Sequence, residues 1–199
     1  MKRVAVLASG RGSNLAALLG AQDRYSSYRI VLVVSNVEGA GALGLAREAS
    51  VEAICLTSRG LSRDDHERSL ADLIRSRGAD IICLAGYMRV LTPAFIESVD
   101  RPILNIHPSL LPAFPGMHAQ NQALEGGVRW TGATVHFVDK GLDSGPVIVQ
   151  EPVPVHPDDT EETLSARILE TEHRIYPQAL DIVAREAYRL DGRKVRLSQ

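Results

Sequence analysis

Residues 4–19 read VAVLASGRGSNLAALL and contain the unit from which the fold is predicted. An apolar run at residues 4–8 is followed by a glycine-containing turn at 9–14, and then by a segment of helical composition at 15–19. We therefore expect a strand, a tight turn and a helix at the start of the chain.

The same alternation recurs along the first half of the chain. Apolar runs predict strands, and amphipathic stretches between them predict helices. Alternating strands and helices form right-handed crossover units, which build a mostly parallel twisted sheet with helices on both faces. The sequence thus predicts a single-domain, Rossmann-like α/β fold. Strands are predicted at 30–34, 53–56, 81–85 and 103–106 in addition to 4–8, and helices at 40–49 and 64–77.

The second half of the chain has a different composition and a different pattern of predicted elements. Residues 108–116 contain three prolines and end in glycine, which predicts a long, shaped loop, because proline fits neither a helix interior nor a central strand. Residues 134–138 and 147–155 are predicted strands of a late antiparallel hairpin. A long C-terminal helix, bent near its proline, is expected from about residue 160 to about 188, and the polar tail at 190–199 is expected to be frayed.

Composition limits the class of protein. The 199 residues, 45% of them hydrophobic, suit one globular domain, and we find no internal repeat or linker. The net charge of −2 argues against binding to nucleic acid. Neither a membrane-spanning run nor a signal peptide is evident, so we expect a cytoplasmic protein. Cys55 and Cys83 lie in apolar, strand-like runs and are expected to be inert core residues.

The glycine turn near the N-terminus is a candidate anion site. A strand, a Gly-x-Gly turn and a helix leave backbone N–H groups free at the helix N-terminus, where the helix dipole also favours an anion. Gly12, Ser13 and Asn14 are the candidate phosphate ligands. The dinucleotide-binding fingerprint is disfavoured, because Leu15 holds its third glycine position and no acidic residue closes the second strand. A purely structural turn is the alternative.

A second candidate site lies at the end of the fifth predicted strand. Ligands of open α/β sheets bind beyond the carboxyl ends of the strands. Asn105 and His107 are two residues apart on that strand and therefore face the same side. Asp143, in a glycine-bounded turn, could fold back against the imidazole and stabilise its charge. The three side chains would supply an oxyanion donor, a proton carrier and a support for that carrier.

These residues have alternative interpretations. A serine hydrolase is disfavoured, since no serine stands in a Gly-x-Ser-x-Gly turn. A metal site formed by His107, His136 and Asp143 is an alternative, although no pair of these ligands has the spacing typical of metal motifs. A histidine at a strand end can also be purely structural. The residues alone predict a cleft without identifying its substrate.

Two longer motifs carry a resemblance to a known family. Residues 105–112, NIHPSLLP, and residues 142–146, LDSGP, resemble the signature of the folate-dependent formyltransferases. Residues 9–14 and 85–91, SGRGSN and AGYMRVL, resemble one branch of that family, and the similarity extends from residue 4 to about 183. The resemblance implies one α/β domain that transfers a formyl group from 10-formyltetrahydrofolate to the amine of glycinamide ribonucleotide, in purine synthesis and without a metal.

The resemblance also implies roles for individual residues. Asn105 would hold the formyl oxygen, His107 would act as general acid, and Asp143 would support the charged imidazole and position a water molecule. Two further groups of residues would bind the substrates. The nucleotide would be held by Gly12, Ser13, Asn14 and Glu172, and the folate by Arg63, Met88, Arg89, Val90, Leu91 and Asn105.

Some of these implied roles have alternatives. Core packing is the alternative for Met88, Val90 and Leu91, and a solvated position at a helix start is the alternative for Arg63. Two departures from the family pattern leave contacts open: Arg11 stands where relatives carry asparagine, and residues 117–122 contain glutamine at a position where relatives often have histidine. We therefore assign no catalytic role to the histidine at position 118.

The resemblance divides the domain into parts. Residues 1–100 would form the phosphate-binding half and residues 101–189 the catalytic and folate-binding half, followed by the tail at 190–199. The expected partners are the two small-molecule substrates, with no nucleic acid or membrane, in a monomer or homodimer. Formyltetrahydrofolate hydrolase, a formyltransferase with another amine acceptor and a catalytically silent binding module are the rival hypotheses. Methionyl-tRNA formyltransferase is disfavoured because its additional nucleic-acid-binding domain is not expected here.

Overall fold

The structure, a computed structural model, describes residues 1–198. Within this range the chain is an α/β protein with nine strands and six helices. It forms two compact units, of which the first comprises Met1–Leu104 and the second begins at Asn105. The predicted α/β class is confirmed. None of the helices within these 198 residues is both long and apolar enough to cross a membrane.

The first unit alternates strands and helices as predicted. Its strands are β1 (Lys2–Ala8), β2 (Tyr28–Ser35), β3 (Glu52–Cys55) and β4 (Ile81–Leu84), and its helices are α1 (Ser13–Gly20), α2 (Gly41–Glu48), α3 (Arg63–Ser76) and α4 (Pro93–Val99). β1 pairs in parallel with both β2 and β4, and β2 pairs in parallel with β3. Residues 4–8 of β1 are fully buried, as expected for a parallel strand that is covered on both faces.

Local sequence explains where two of these helices begin. The hydroxyl of Ser62 accepts a hydrogen bond from the backbone N–H of Asp65 and caps α3, whose first turn is acidic. The hydroxyl of Thr92 accepts from the N–H of Phe95 and caps α4, and Pro93 occupies the first turn. The seven-residue α4 was not predicted, because its apolar positions are too few to show a helical period.

The second unit contains the late strands and the long helix. Its elements are α5 (Ala119–Glu125), β6 (Trp130–Phe137), β7 (Val147–Pro154), α6 (Glu161–Ala184), β8 (Tyr188–Asp191) and β9 (Lys194–Leu197), while β5 (Ile103–His107) contains the division between the units. β6 and β7 are antiparallel, which confirms the predicted hairpin. In sheet order the strands are β3-β2-β1-β4-β5-β6-β7-β9-β8.

The C-terminal segment differs from the prediction. α6 begins with a capping box formed by Thr160 and Thr163, continues through Pro177, and ends at Ala184 instead of about residue 188. In the described part of the tail that we expected to be frayed, the chain forms the antiparallel strands β8 and β9, and β9 pairs in parallel with β7. Residue 199 of that tail lies outside the described residues. Gly192, with φ 58°, and Arg193 make the two-residue turn between the strands, and glycine suits a first turn position that requires a positive φ.

The burial of the cysteines also corrects an expectation. Cys83 in β4 is buried, but Cys55 at the end of β3 is exposed, and neither thiol is in a disulfide. β3 lies at one edge of the sheet, and none of its four residues is fully buried. The expectation of core packing was therefore right for Cys83 and wrong for Cys55.

Candidate active site

His107 is held between two acceptor oxygens at the end of β5. Its side chain is buried, its Nε2 lies 2.8 Å from the carbonyl oxygen of Phe114, and its Nδ1 lies 3.4 Å from Oδ2 of Asp143. A carbonyl and a carboxylate can only accept, so both contacts are satisfied together only when both ring nitrogens carry a proton. The structure thus brings together the histidine and the aspartate that the sequence suggested, in a geometry suited to an imidazolium.

The turn that carries Asp143 is fixed by its own hydrogen bonds. Asp143 has a left-handed backbone with φ 48°, and its Oδ2 accepts from the N–H of Gly116 at 2.8 Å. The carboxylate of Asp139 accepts from the N–H of Gly141 at 3.0 Å and from the hydroxyl of Ser144 at 2.7 Å. These bonds close the loop on itself, so the Asp143 carboxylate is preorganised beside the imidazole.

His136 in β6 is a member of this cluster whose role the sequence did not reveal. It is 2% exposed, its Nδ1 lies 2.8 Å from the carbonyl oxygen of Phe137, and its Nε2 lies 3.3 Å from Nδ2 of Asn105. Nε2 also lies 3.7 Å from Oδ1 of Asp143. Burial lowers the pKa of His136, against the opposing effect of its backbone hydrogen bond, so the ring is neutral at pH 7.

The proline-containing loop at 108–116 is anchored to the hairpin. The hydroxyl of Thr134 donates to the carbonyl oxygen of Ser109 at 2.7 Å and accepts from the N–H of Leu111 at 3.2 Å. The amide of Gln150 donates to the carbonyl oxygen of Leu111 at 2.8 Å. Because these contacts fix the path of the loop, they also fix the carbonyl of Phe114 that faces the imidazole.

The metal alternative finds no support in the donor geometry. Among the residues that the structure describes, no group of three or more histidine, cysteine or acidic side chains is arranged to hold a metal ion. The set considered from the sequence, His107, His136 and Asp143, lies together but uses its nitrogens and oxygens in the hydrogen bonds given above.

In the first unit, the glycine turn forms the N-terminus of α1. Gly12 is the N-cap residue with φ 87°, and no side chain caps the first N–H groups of the helix. A Cβ atom on Gly12 would lie 2.8 Å from Cα of Ala42, so only glycine fits this position. An open pocket of about 150 Å³ lies at this turn. It is lined by Gly10, Arg11, Gly12, Ser13, Asn14, Ala85, Gly86 and Met88, which include all three candidate phosphate ligands.

Ser9 joins the glycine turn to the segment at 85–92. Its hydroxyl accepts from the N–H of Met88 at 2.9 Å and donates to Oδ1 of Asn36 at 2.6 Å. Its backbone N–H donates to the carbonyl oxygen of Gly86 at 3.0 Å. Ser9 begins the motif at residues 9–14, but nothing in the sequence indicates its contact with a segment so distant along the chain.

The segment at 85–92 exposes part of its apolar surface. Met88 is 75% exposed and Val90 is 63% exposed, whereas Leu91 is buried. Core packing, the alternative to folate binding, therefore applies to Leu91 and does not apply to Met88 or Val90. Burial raises the pKa of Tyr87 to about 12, so its hydroxyl keeps its proton at pH 7.

Arg63 supports this segment from the first turn of α3. Its guanidinium is half-exposed, lies 3.5 Å from the carboxylate of Glu67, and donates to the carbonyl oxygen of Val90. Glu67 is buried and accepts from both the N–H and the hydroxyl of Thr92. Arg63 and Glu67 thus hold the exposed segment against α3, a role that the sequence did not suggest.

Glu172, the remaining candidate, lies in α6. Its side chain is buried in the second unit, next along the helix to His173. Burial also lowers the pKa of His173, which keeps that ring neutral at pH 7. A buried carboxylate requires partners, because an isolated charge is costly to remove from water.

Comparison with known proteins identifies the family of this chain. Residues 2–180 match the formyl transferase family. The chain is 43% identical over 176 residues to the phosphoribosylglycinamide formyltransferase of Escherichia coli (strain K12), a match that covers 87% of this chain and 83% of that protein. The crystal structure of glycinamide ribonucleotide transformylase 1 from Symbiobacterium toebii superposes with a TM-score of 0.97 at 45% identity, covering 100% of this chain and 95% of that one.

A longer relative contains the same region as one part. The trifunctional purine biosynthetic protein adenosine-3 of Drosophila melanogaster is 45% identical over 183 residues, which cover 90% of this chain. The chain spans only 14% of the length of that protein. From the match over most of its length and from the relatives of similar size, the chain belongs to the formyl transferase family, in the branch of the phosphoribosylglycinamide formyltransferases.

Proposed function

We propose that this protein transfers the formyl group of 10-formyltetrahydrofolate to the amine of glycinamide ribonucleotide, giving formylglycinamide ribonucleotide and tetrahydrofolate. The observation that carries the proposal is the cluster of Asn105, His107 and Asp143 in the second unit, where the two ring nitrogens of His107 face acceptor oxygens. Acyl transfer to an amine needs an oxyanion donor and a proton carrier, and these side chains have both properties.

In the first step the substrate amine attacks the formyl carbon. The electron pair of the carbonyl π bond moves to the formyl oxygen, and a tetrahedral intermediate forms. The Nδ2 group of Asn105 has two hydrogens, and its contact with His136 occupies only one of them. The second can donate to the formyl oxygen as negative charge develops there, which is when a fixed donor contributes most to the rate.

The second step breaks the bond between the formyl carbon and N10 of the folate. One proton must leave the attacking nitrogen and one must reach N10, so the exchange is balanced within the two substrates. His107 can donate from Nδ1, because its 3.4 Å separation from Asp143 is long for a charge-assisted hydrogen bond. Asp143 stabilises the charged ring before this donation, and it then orients a water molecule that carries the proton of the attacking nitrogen back to the neutral ring.

The nucleotide substrate is assigned to two groups of residues. We place its phosphate at the N-terminus of α1, where Gly12, Ser13 and Asn14 line an open pocket and the helix dipole favours an anion. Glu172 in α6 is the proposed partner of the sugar or amine part of the same substrate. Both assignments follow the resemblance of the sequence motifs.

The folate is assigned mainly to the exposed segment of the first unit. Met88 and Val90 offer apolar surface there, and Arg89 and Leu91 belong to the same proposed ligand set. Arg63 is placed at the glutamyl tail. Its guanidinium contacts Glu67 and Val90 and has further N–H groups with which it can meet a carboxylate. Asn105 is assigned to the folate through its formyl group.

The same proposal includes the setting of the enzyme. We propose a cytoplasmic monomer or homodimer whose partners are small molecules and which binds neither nucleic acid nor membrane. The net charge of −2 supports the proposal that the protein does not bind nucleic acid, because proteins that do so usually carry a basic surplus.

The test is to mix the purified protein with 10-formyltetrahydrofolate and follow the release of tetrahydrofolate by absorbance, with and without glycinamide ribonucleotide. Release that requires the nucleotide supports the transferase and its acceptor together. Release without the nucleotide would instead assign a hydrolase, and no release in either mixture would leave another amine acceptor or a binding module as the function.

A further inference from the structure

His136 takes no part in the mechanism above, yet it contacts two of the groups that do. Its Nε2 lies 3.3 Å from Nδ2 of Asn105 and 3.7 Å from Oδ1 of Asp143. We infer that His136 is a positioning residue that orients the amide of Asn105, so that the NH₂ group of the amide, and not its oxygen, faces the formyl oxygen. The inference rests on the proposed function, since it concerns the same transfer.

The hydrogen bonds of the ring determine its tautomer. Nδ1 lies 2.8 Å from the carbonyl oxygen of Phe137, and a carbonyl can only accept, so Nδ1 carries the proton. In the neutral ring Nε2 is then an acceptor. It can be satisfied by the NH₂ group of Asn105 but not by the amide oxygen, so the reversed amide would bring two acceptors together within the buried cluster.

The orientation matters because an amide presents opposite charges on its two sides. With Nδ2 towards His136, the second N–H of Asn105 can donate to the developing oxyanion. With the amide reversed, an oxygen would take that place and repel it. His136 therefore fixes the polarity of the oxyanion site without touching the substrate, in the way that a second group commonly orients a catalytic side chain.

Protonation of His136 would undo this arrangement. A proton on Nε2 would remove the acceptor that Asn105 requires and create a donor for Asp143 at 3.7 Å, in competition with His107. The charged or titratable groups that face the ring are Asp143 and Asp139, which favour its charged form, and His107, which disfavours it. Burial outweighs these effects and lowers the pKa of His136, so loss of activity through this ring is confined to acidic pH.

The experiment compares two substitutions at position 136 in the transfer assay. His136→Met fills the space with an adaptable side chain that is a poor acceptor, and His136→Gln keeps an amide oxygen at a similar reach. We expect His136→Met to lower kcat by about 10- to 100-fold, less than the 10²- to 10³-fold typical for complete loss of an oxyanion donor. KM for the folate should change by less than about 3-fold, since binding does not need the amide orientation. His136→Gln should recover most of kcat, because its amide oxygen can accept from Asn105.

A double-mutant cycle separates this role from a structural one. In a chain with Asn105→Ala, His136→Met should lower kcat by less than about 2-fold, because the side chain that it orients is absent. The ratio of kcat for His136→Gln to that of the unsubstituted protein should rise as pH falls below the ordinary titration range of histidine. His66→Gln is the matched control, since His66 is equally buried and bonded to a carbonyl but belongs to α3.

The outcomes are distinguishable. Thermal denaturation of each variant shows whether it is folded. If the methionine variant is unfolded, the pH dependence of kcat for His136→Gln still tests the inference. An equal loss of kcat on His136→Met with and without the Asn105→Ala substitution, or equal losses for the methionine and glutamine variants, would overturn the inference. An unsubstituted protein that transfers no formyl group would instead overturn the proposed function.

Discussion

Replacing Asp143 by asparagine is the substitution whose effect the structure predicts most directly. The two side chains have the same shape, and asparagine tolerates the left-handed backbone with φ 48° that this position requires. The amide oxygen can still accept from the N–H of Gly116, as the carboxylate does at 2.8 Å. Asp143→Asn therefore removes the negative charge beside His107 and changes little else.

The separation of the charges gives the magnitude. At the 3.4 Å between Nδ1 of His107 and Oδ2 of Asp143, opposite unit charges attract by about 5 kcal/mol at an effective dielectric constant of about 20, and by about 1 kcal/mol in water. The side chains are only 6% and 11% exposed, which favours the larger value. A retained neutral hydrogen bond of about 1 kcal/mol offsets part of the loss. At about 1.36 kcal/mol per tenfold change in rate, we expect kcat to fall by about 10²- to 10³-fold.

The assay is the release of tetrahydrofolate at saturating concentrations of both substrates, with KM for each determined separately. Neither KM should change by more than about 3-fold, because Asp143 acts through His107 and is assigned to the binding of neither substrate. A folded Asp143→Asn variant whose kcat falls by less than about tenfold would refute the reasoning, since the carboxylate would then stabilise the transition state little more than an ion pair in water does.

Three further predictions concern binding and stability. Gly12→Ala should raise KM for the nucleotide by at least about tenfold, since φ is 87° and the new Cβ would lie 2.8 Å from Cα of Ala42; an unchanged KM would contradict the phosphate assignment. Ser62→Ala should lower stability by about 1 kcal/mol and Tm by about 2–4 °C, measured by thermal denaturation. The hydrogen bond from Arg167 lowers the pKa of Asp159. The ionised carboxylate therefore stabilises the folded protein above about pH 4, and this stabilisation is lost as pH falls further. The difference in Tm between the unsubstituted protein and Asp159→Asn should shrink as pH is lowered below about 4.

The alternating first half of the fold could be predicted because its elements are long or fully buried. A buried parallel strand appears as a continuous apolar run, and residues 4–8 show this directly. The two seven-residue helices escaped prediction, since two turns are too short to show a period. The N-cap residue of α5, His118, has a left-handed conformation and its side chain does not cap the helix, so the sequence lacks the usual start signal.

The tail shows how a local signal can be outweighed by composition. Residues 190–199 are mostly polar, and we interpreted this tail as frayed, although it contains Gly192, which takes the first position of the two-residue turn between β8 and β9. What stabilises the hairpin is not local. β9 pairs with β7, and the ring of Tyr188 lies 5.2 Å from that of Phe137, contacts that join residues distant in sequence.

The candidate site was partly visible in the sequence. Asn105 and His107 could be paired because residues two apart on a strand share a face. The return of Asp143 to the imidazole was a hypothesis that the 3.4 Å separation agrees with. His136 was considered only as a metal ligand, because a histidine within an apolar strand does not reveal which tertiary neighbour it meets. Arg63 was assigned to the folate tail from its charge, and its contact with the segment at 85–92 depends on a loop that the sequence does not position.

The most direct measurement is to follow the destination of the transferred carbon. The protein would be incubated with 10-formyltetrahydrofolate labelled with ¹³C in the formyl group and with unlabelled glycinamide ribonucleotide, and the products separated and identified by NMR and mass spectrometry. We predict that the label appears as a formamide on the nucleotide, in equal amount to the tetrahydrofolate formed. Label recovered as free formate, with the nucleotide unchanged, would contradict the account.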